Sequence, residues 1–175
     1  NYDSEKVIKA LRLFLAESER LKYSDNYNVD IVDIASTVNA DAGYSLLKEI
    51  EGAFDRGDTT DFNDKTDRFL DRILMQNTLM NCRRETMVGN WIESAMACGT
   101  DVDESELMRR DARRLITTWG DREQANRLGM HDYACRQWGA LLKDFHYERW
   151  RSFFSYIRKH GVVPMGYDWF GMEND

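Results

Sequence analysis

Apolar side chains recur at intervals of three and four residues along most of the chain, which is the spacing of a helix with one buried face. The longest such run begins at Ile31 and ends at Phe54, and Gly57 follows it as a stop signal. An earlier helix with Asp3 or Ser4 as its cap and a later one from about Thr60 to Met80 show the same period. The apolar positions that predict these three helices are Val7, Leu11, Phe14 and Leu21; Ile31, Ile34, Val38, Ala42, Leu46, Ile50 and Phe54; and Phe62, Phe69, Ile73 and Leu74.

The second half repeats this pattern in shorter segments. A fourth helix is expected to end at Gly99, a fifth to begin at Asp101 or Asp103 and end at Gly120, and a seventh to close at Gly161. Residues 121–130 form a polar loop between the fifth and sixth helices. The apolar positions of the last four helices are Met87, Val88, Trp91, Ile92 and Ala95; Met108, Ala112, Leu115, Ile116 and Trp119; Tyr133, Ala134, Trp138, Leu141 and Phe145; and Trp150, Phe153, Phe154 and Ile157.

The chain contains one proline, Pro164, so nothing before that position forces a helix to break. Strand-like alternation is absent before residue 162, and residues 162–175 have the composition of an extended tail. We therefore predict an all-α fold: a single domain over residues 1–175, built of six or seven mostly antiparallel helices with a short extended C-terminal tail.

Charge and composition restrict the function. The 175 residues carry a formal charge of −7, which argues against a nucleic-acid partner, since phosphate binding favours a basic surface. No apolar run approaches the roughly 18 residues that a membrane span requires. The first residues do not read as a signal peptide, and a chain that begins with Asn1 is expected to be processed or part of a longer protein.

Nearly all basic residues after position 80 are arginines, the side chain suited to bidentate contacts with carboxylate, sulfate or phosphate. Ion pairs on helix surfaces are the favoured explanation, for example Glu106 with Arg109 and Arg110. An anion-binding surface remains open as the alternative.

Few residues point to catalysis or to a metal. Cys82, Cys98 and Cys135 are odd in number and lack CxxC spacing, so they are expected to be small buried hydrophobes. His131 and Cys135 are spaced as a possible metal pair, but no third ligand is indicated. Nucleotide-binding motifs are absent, and no metal or other cofactor is predicted. The acidic pairs at helical spacing, which fit solvated helix faces, are Asp30/Asp33, Asp61/Asp64 and Asp64/Asp67/Asp71.

Trp119 is the most informative aromatic residue, because it lies at the predicted end of the fifth helix next to a loop. A tryptophan in such a place can stack on a sugar ring or on a partner domain, although a core position is equally compatible with the sequence. Trp138 and Trp150 lie in the middle of apolar stripes and are expected in the core.

Several blocks together resemble the C-terminal helical domain of the α-N-acetylglucosaminidases, glycoside hydrolase family 89. The order and spacing of the three later blocks match that family, and the resemblance covers about residues 1–155. After Asp33 the chain departs from the family pattern, since Ala35-Ser36-Thr37 stands where a Thr-Arg-Gln sequence is usual. The blocks that carry the resemblance are residues 27–33, 89–95, 112–120, 132–142 and 147–153.

The resemblance implies a glycosidase that removes terminal α-linked N-acetylglucosamine from glycans such as heparan sulfate or mucin-type chains. The two catalytic glutamates of that family belong to an upstream barrel, so no catalytic residue is expected here and the chain alone is expected to be inactive. The domain would pack on its barrel and close one side of the sugar pocket. The resemblance implies Trp119 as the side chain over the sugar ring, with Asp132 and Tyr133 as further substrate-binding residues, and it leaves Arg149 and Arg151 to ion pairs between the last two helices.

Two other interpretations stay open. The chain can be a stand-alone helical module that binds carbohydrate or protein, in which case the arginines would contact an anionic glycan or a partner. A carboxylate-bridged metal enzyme ranks last, because the ExxH motif is missing. The sequence contains no Asn-x-Ser/Thr site, which favours a secreted or periplasmic bacterial protein over a lysosomal one.

Overall fold

The computed structural model of the protein describes residues 2–119 and 134–164. These residues are helical apart from turns, short connections and one isolated bridge between Met87 and Gly139, which confirms the predicted all-α class. The chain divides into two compact units, Asn1–Arg83 and Arg84–Asp175. In the described ranges the α-helices are α1 Ser4–Ala16, α2 Ser18–Leu21, α3 Asp25–Asp55, α4 Thr59–Met80, α5 Val88–Met96, α6 Val102–Ile116 and α7 Glu148–His160.

An antiparallel pair, α3 and α4, forms the centre of the first unit. The turn between them contains Gly57, whose φ of 68° lies in the left-handed region that glycine adopts without cost. Asp58 then caps α4 by accepting from the Asp61 amide at 3.0 Å. Burial of each large apolar side chain contributes about 1.5–3 kcal/mol, so this core stabilises the pair. The buried apolar residues of the unit are Tyr27, Leu46, Ile50, Ala53, Phe62, Phe69, Leu70, Ile73 and Met80.

The helix α1 packs along α3 and is fixed at both of its ends. Near its C-terminal end the rings of Phe14 and Tyr27 stack with centroids 5.7 Å apart, and the Tyr27 hydroxyl donates to the Phe14 carbonyl at 2.7 Å. At its beginning, the hydroxyls of Tyr2 and Ser4 donate to the two carboxylate oxygens of Asp41 at 2.6 and 2.7 Å. These two anchors set α1 antiparallel to α3.

In the second unit α5 and α6 form a helical hairpin. The indole nitrogen of Trp91 on α5 donates to the Ala112 carbonyl of α6 at 3.0 Å. The connection is tight at Gly99, where a β-carbon would lie 2.5 Å from the amide nitrogen of Ser105. Only glycine fits this close approach of the two backbone segments.

The predicted sixth helix is only partly present. Residues 135–138 are not helical, and regular structure begins at Leu141, followed by a π-helical segment at Leu142–Tyr147. The reason is a contact with a distant part of the chain, because Gly139 donates to Thr86 and accepts from Val88, which removes its backbone groups from a helix. The π-helical segment runs directly into α7, so the predicted sixth and seventh helices are one continuous helical stretch.

Other predictions at single positions need correction. The three cysteines are exposed, not buried. The thiols of Cys82 and Cys98 instead lie 3.4 Å from the carbonyls of the residues one turn earlier. Leu115, predicted to face inward, is 42% exposed, whereas its neighbour Ile116 is buried. Trp138 and Trp150 are half-buried, with Trp150 packed against Phe153 and Phe154.

Candidate functional site

A cleft of about 830 Å³ opens in the second unit, between one face of α6, the start of α5 and the π-helical segment. Its volume falls in the range of small-molecule sites. Its apolar lining consists of Val88, Ile92, Ile116, Ala140, Leu141 and Phe145. In the described part of the chain its charged lining consists of Glu93, Glu106, Arg109, Arg110, Arg113, Arg114, Asp144, Glu148 and Arg149.

The helix α6 brings four of these arginines to the cleft. Its start is fixed by Asp101, which accepts from the Glu104 amide at 2.8 Å, and by Glu104, which accepts from the Thr100 amide at 2.6 Å. The Thr100 hydroxyl also donates to Glu104 at 2.6 Å, and this bond and the amide bond hold the pKa of the Glu104 carboxyl below its usual range. The order of the first turn thereby sets the direction in which the arginine-bearing turns point.

Two of the acidic side chains at the cleft are held by arginines on their own helix. The Arg109 Nε lies 2.9 and 2.8 Å from the two carboxylate oxygens of Glu106, and this contact lowers the pKa of Glu106. Arg151 contacts Glu148 in the same way, with its Nε at 2.8 Å. The predicted pair of Glu106 with Arg109 is thus confirmed, but no corresponding contact of Arg110 with Glu106 is present within 4.0 Å.

Arg149 is buried at the back of the cleft, with 8% of its surface exposed. Its guanidinium carbon lies 4.5 Å from the centre of the Phe145 ring, and its terminal nitrogen lies 3.3 Å from Nδ1 of His146. The prediction of an ion pair between the last two helices is wrong for Arg151, because Arg151 pairs with Glu148 on the same helix, α7. For Arg149 it stays a prediction.

A tryptophan pair supports the cleft from the side. The rings of Trp91 and Trp138 lie 5.9 Å apart, and the guanidinium of Arg136 lies 5.3 Å from the centre of the Trp138 ring. Since Trp91 also bonds to the backbone of α6, this pair ties the segment before the π-helix to the α5–α6 hairpin.

Trp119 lies just beyond the end of α6 and is 36% exposed, which favours the surface position over the core position that the sequence left equally open. Its φ of 65° is in the left-handed region, which costs a bulky residue about 1–3 kcal/mol. Its amide donates to the Arg114 carbonyl at 2.7 Å, and the preceding Thr118 is buried. The chain thus turns sharply and leaves the indole at the surface near the arginine-bearing end of α6.

Left-handed residues other than glycine are concentrated in this unit. In the two described ranges they are Trp119, Cys135 and Ala140, and Ala140 also lines the cleft. Residues held in such conformations cluster at ligand-binding sites. The sequence offered no signal for this strain, since none of the three positions is a glycine or an asparagine.

The remaining predicted site residues are placed as follows. Asp132 and Tyr133 lie outside the described residues, as does His131. In the described part of the chain no three His, Cys, Asp or Glu side chains come together as a metal site. The acidic residues at helical spacing are exposed as predicted at Asp30, Asp33, Asp64, Asp67 and Asp71.

The cleft itself was missed by the sequence interpretation. Its one available signal was the spacing of Arg110, Arg113 and Arg114, which places three cations on one side of a helix.

None of the helices that the structure describes is both long and apolar enough to cross a membrane.

Comparison with known proteins gives a consistent result. The human protein alpha-N-acetylglucosaminidase is 25% identical over 162 residues, which cover 87% of this chain and 20% of the human protein. A family 89 glycoside hydrolase from Clostridium perfringens, solved in complex with PUGNAc, superposes with a TM-score of 0.91 at 31% identity. That match covers 98% of this chain and 20% of the bacterial one.

A second structure of the bacterial enzyme contains a double glutamate-to-glutamine variant in complex with its substrate, GlcNAc-alpha-1,4-galactose. This structure superposes with a TM-score of 0.89 at 30% identity. The chain spans about one-fifth of the length of these relatives. Residues 1–164 match the family described as the alpha-N-acetylglucosaminidase (NAGLU) C-terminal domain, and the chain therefore belongs to that family of glycoside hydrolase family 89 domains.

Proposed function

We propose that the chain acts as the C-terminal domain of a larger α-N-acetylglucosaminidase that removes terminal α-linked N-acetylglucosamine from glycans. The family match and the superposition on a bacterial enzyme bound to GlcNAc-alpha-1,4-galactose support this proposal. The chain covers one-fifth of the length of its relatives, so the catalytic part can lie in the remainder of the enzyme.

We infer that the described part of this domain supplies no catalytic acid. Glycosidases of the retaining type need two carboxyl groups about 5 Å apart, one of them with a raised pKa so that it can act as general acid. The carboxyl groups with clearly shifted pKa values in the described part of the chain all shift downward, because hydroxyl, amide or cationic donors hold their ionised form. These groups are Asp41, Asp61, Glu104 and Glu106.

The proposed role of the domain is to pack against the catalytic barrel and close one side of the sugar pocket, with Trp119 at that side. The observation that carries this proposal is the exposed indole of Trp119, which is held at the surface in a strained backbone conformation. An indole face suits the C–H face of a pyranose ring. Asp132 and Tyr133 are retained as further substrate-binding residues.

The test is Trp119→Ala in the full-length enzyme that contains this chain, assayed for release of N-acetylglucosamine from an aryl α-N-acetylglucosaminide. We expect kcat/KM to fall about tenfold, the effect of about 1.4 kcal/mol, chiefly through KM. Trp119→Phe should retain most of the activity because it keeps an aromatic face. Trp91→Phe is the matched control, since Trp91 is similarly exposed and its indole nitrogen donates to the Ala112 carbonyl of α6.

Unchanged kcat/KM in Trp119→Ala would refute the pocket role. It would also favour the other candidate, a domain that binds carbohydrate or protein independently of the barrel. The arginine-lined cleft is the observation that supports this second candidate.

We further propose export of the enzyme to the periplasm or the exterior of a bacterial cell, where glycans of this class are met. Cell fractionation followed by the same assay tests this proposal. Activity confined to the cytoplasmic fraction would contradict it.

A further inference from the structure

Among the residues that the structure describes, the cleft of the second unit has an excess of positive side chains once the ion pairs of its acidic side chains are taken into account. Glu106 is bound by Arg109, and Glu148 is bound by Arg151. The cleft-lining groups left after these pairs include three arginines of α6 and two acids. They are Arg110, Arg113 and Arg114, and Glu93 and Asp144.

The three arginines lie side by side on α6. Arg113 and Arg114 follow Arg110 by three and four residues, so all three project from one side of the helix. In the described part of the chain none of them makes an ion pair within 4.0 Å. Like charges at this spacing destabilise a helix, and an anion bound between them would relieve that repulsion.

The rest of the lining fits a sugar better than a free ion. Carboxylates such as Glu93 and Asp144 accept hydrogen bonds from hydroxyl groups. The side chains of Val88, Ile92 and Phe145 give the same cleft an apolar wall. A cleft of about 830 Å³ is also far larger than a single inorganic ion requires.

We propose that this cleft binds an anionic sugar unit, in which guanidinium groups of Arg110, Arg113 and Arg114 hold a sulfate or carboxylate group. Guanidinium matches both groups through paired N–H donors. This proposal can be tested independently of the proposed glycosidase function, because sugar binding is measured on this chain alone and needs no turnover.

The experiment is a titration of the 175-residue chain followed by NMR chemical shifts. The probes are N-acetylglucosamine 6-sulfate, glucuronic acid and unsubstituted N-acetylglucosamine, all at one ionic strength because salt screens exposed charges. We expect saturable shifts on α6 and the π-helical segment with one or both charged sugars, and at least tenfold weaker binding of the neutral sugar. The two charged probes distinguish a sulfate site from a carboxylate site.

Variants assign the binding to the arginines. Arg113→Gln and Arg114→Gln should each weaken binding of the charged sugar about tenfold, in the range expected for loss of a charged hydrogen bond. Arg114→Lys keeps the charge but not the paired donors and should lose less. Arg12→Gln, an exposed arginine of α1, is the control and should leave binding unchanged.

Three results would overturn the proposal: no saturable shifts with either charged sugar, equal binding of the neutral sugar, or an equal loss in Arg12→Gln. Circular dichroism of each variant separates a binding defect from unfolding. If Arg114→Gln unfolds, Arg113→Gln decides the outcome, because Arg113 is the more exposed of the two side chains and its substitution disturbs the packing of α6 less.

Discussion

The side-chain amide of Asn39 donates to Oε1 of Gln76 at 2.8 Å across the buried contact between α3 and α4. The same amide donates to the Arg72 carbonyl at 3.0 Å, and Arg72 donates back to Oδ1 of Asn39 at 3.2 Å. Both Asn39 and Gln76 are 5% exposed. Because buried amides need their partners, this network fixes the register of the two long helices.

Asn39→Ala should therefore destabilise the chain by about 1–3 kcal/mol, the cost of removing the Asn39 hydrogen bonds from a buried contact. The measurement is the free energy of unfolding in urea. Ser45→Ala, at an exposed position of the same helix, is the control and should change it by less than about 0.5 kcal/mol. An effect of Asn39→Ala no larger than this control would contradict the assignment.

Substitution of two glycines by alanine distinguishes the effect of backbone strain from the effect of side-chain packing. A β-carbon at either Gly57 or Gly89 would meet no atom within 4 Å, but only Gly57 has a left-handed φ. Gly57→Ala should cost about 1–2 kcal/mol, because alanine is strained in that conformation. Gly89→Ala lies inside α5 and should be neutral or stabilise by up to about 1 kcal/mol. Thermal unfolding of both variants checks the difference, and equal effects would refute it.

The aromatic centre of α7 should be sensitive to truncation. Phe154 is 2% exposed and packs against Trp150, with ring centroids 5.3 Å apart. Phe154→Ala should destabilise by about 3–5 kcal/mol through the cavity that it leaves. Ser155→Ala, exposed on the same helix, is the control. A loss below about 1 kcal/mol would show that this cluster is not a core.

The contact that anchors the start of α1 should depend on pH. Hydrogen bonds from Tyr2 and Ser4 lower the pKa of Asp41, so its stabilising contribution is present at neutral pH and is lost as pH falls through that lowered pKa. The same contact raises the pKa of the Tyr2 phenol, so the contribution is also lost as pH rises past the usual tyrosine range.

Carboxyl NMR titration of Asp41 measures this effect directly. In Tyr2→Phe the Asp41 pKa should move back toward its ordinary value, because the larger of the two hydrogen-bond effects is removed. An Asp41 pKa that is the same in both proteins would contradict the contact.

The sequence was sufficient for much of the fold because helical periodicity and caps are local properties. The bounds of α4 follow from the Asp58 cap and from the apolar stripe. The end of α7 follows from the left-handed Gly161. The failure at residues 135–138 has a non-local cause, since Gly139 bonds to residues 86 and 88, far away in sequence. Periodicity cannot register such a contact.

Less of the candidate site could be predicted from the sequence, for the same reason. An exposed Trp119 was one of two placements compatible with the sequence, and its left-handed backbone depends on a hydrogen bond to Arg114 and on the burial of Thr118. The arginines of α6 were visible as a pattern, whereas the cleft that they line is formed with the distant π-helical segment. Tertiary contacts of this kind are not encoded in local spacing.

The most direct test of the account is release of N-acetylglucosamine from an aryl α-N-acetylglucosaminide, with the full-length protein and this 175-residue chain assayed side by side. Turnover by the full-length protein and none by the chain is the predicted result, since the catalytic acids are assigned outside this domain. Turnover by the chain alone, or none by the full-length protein, would contradict the account.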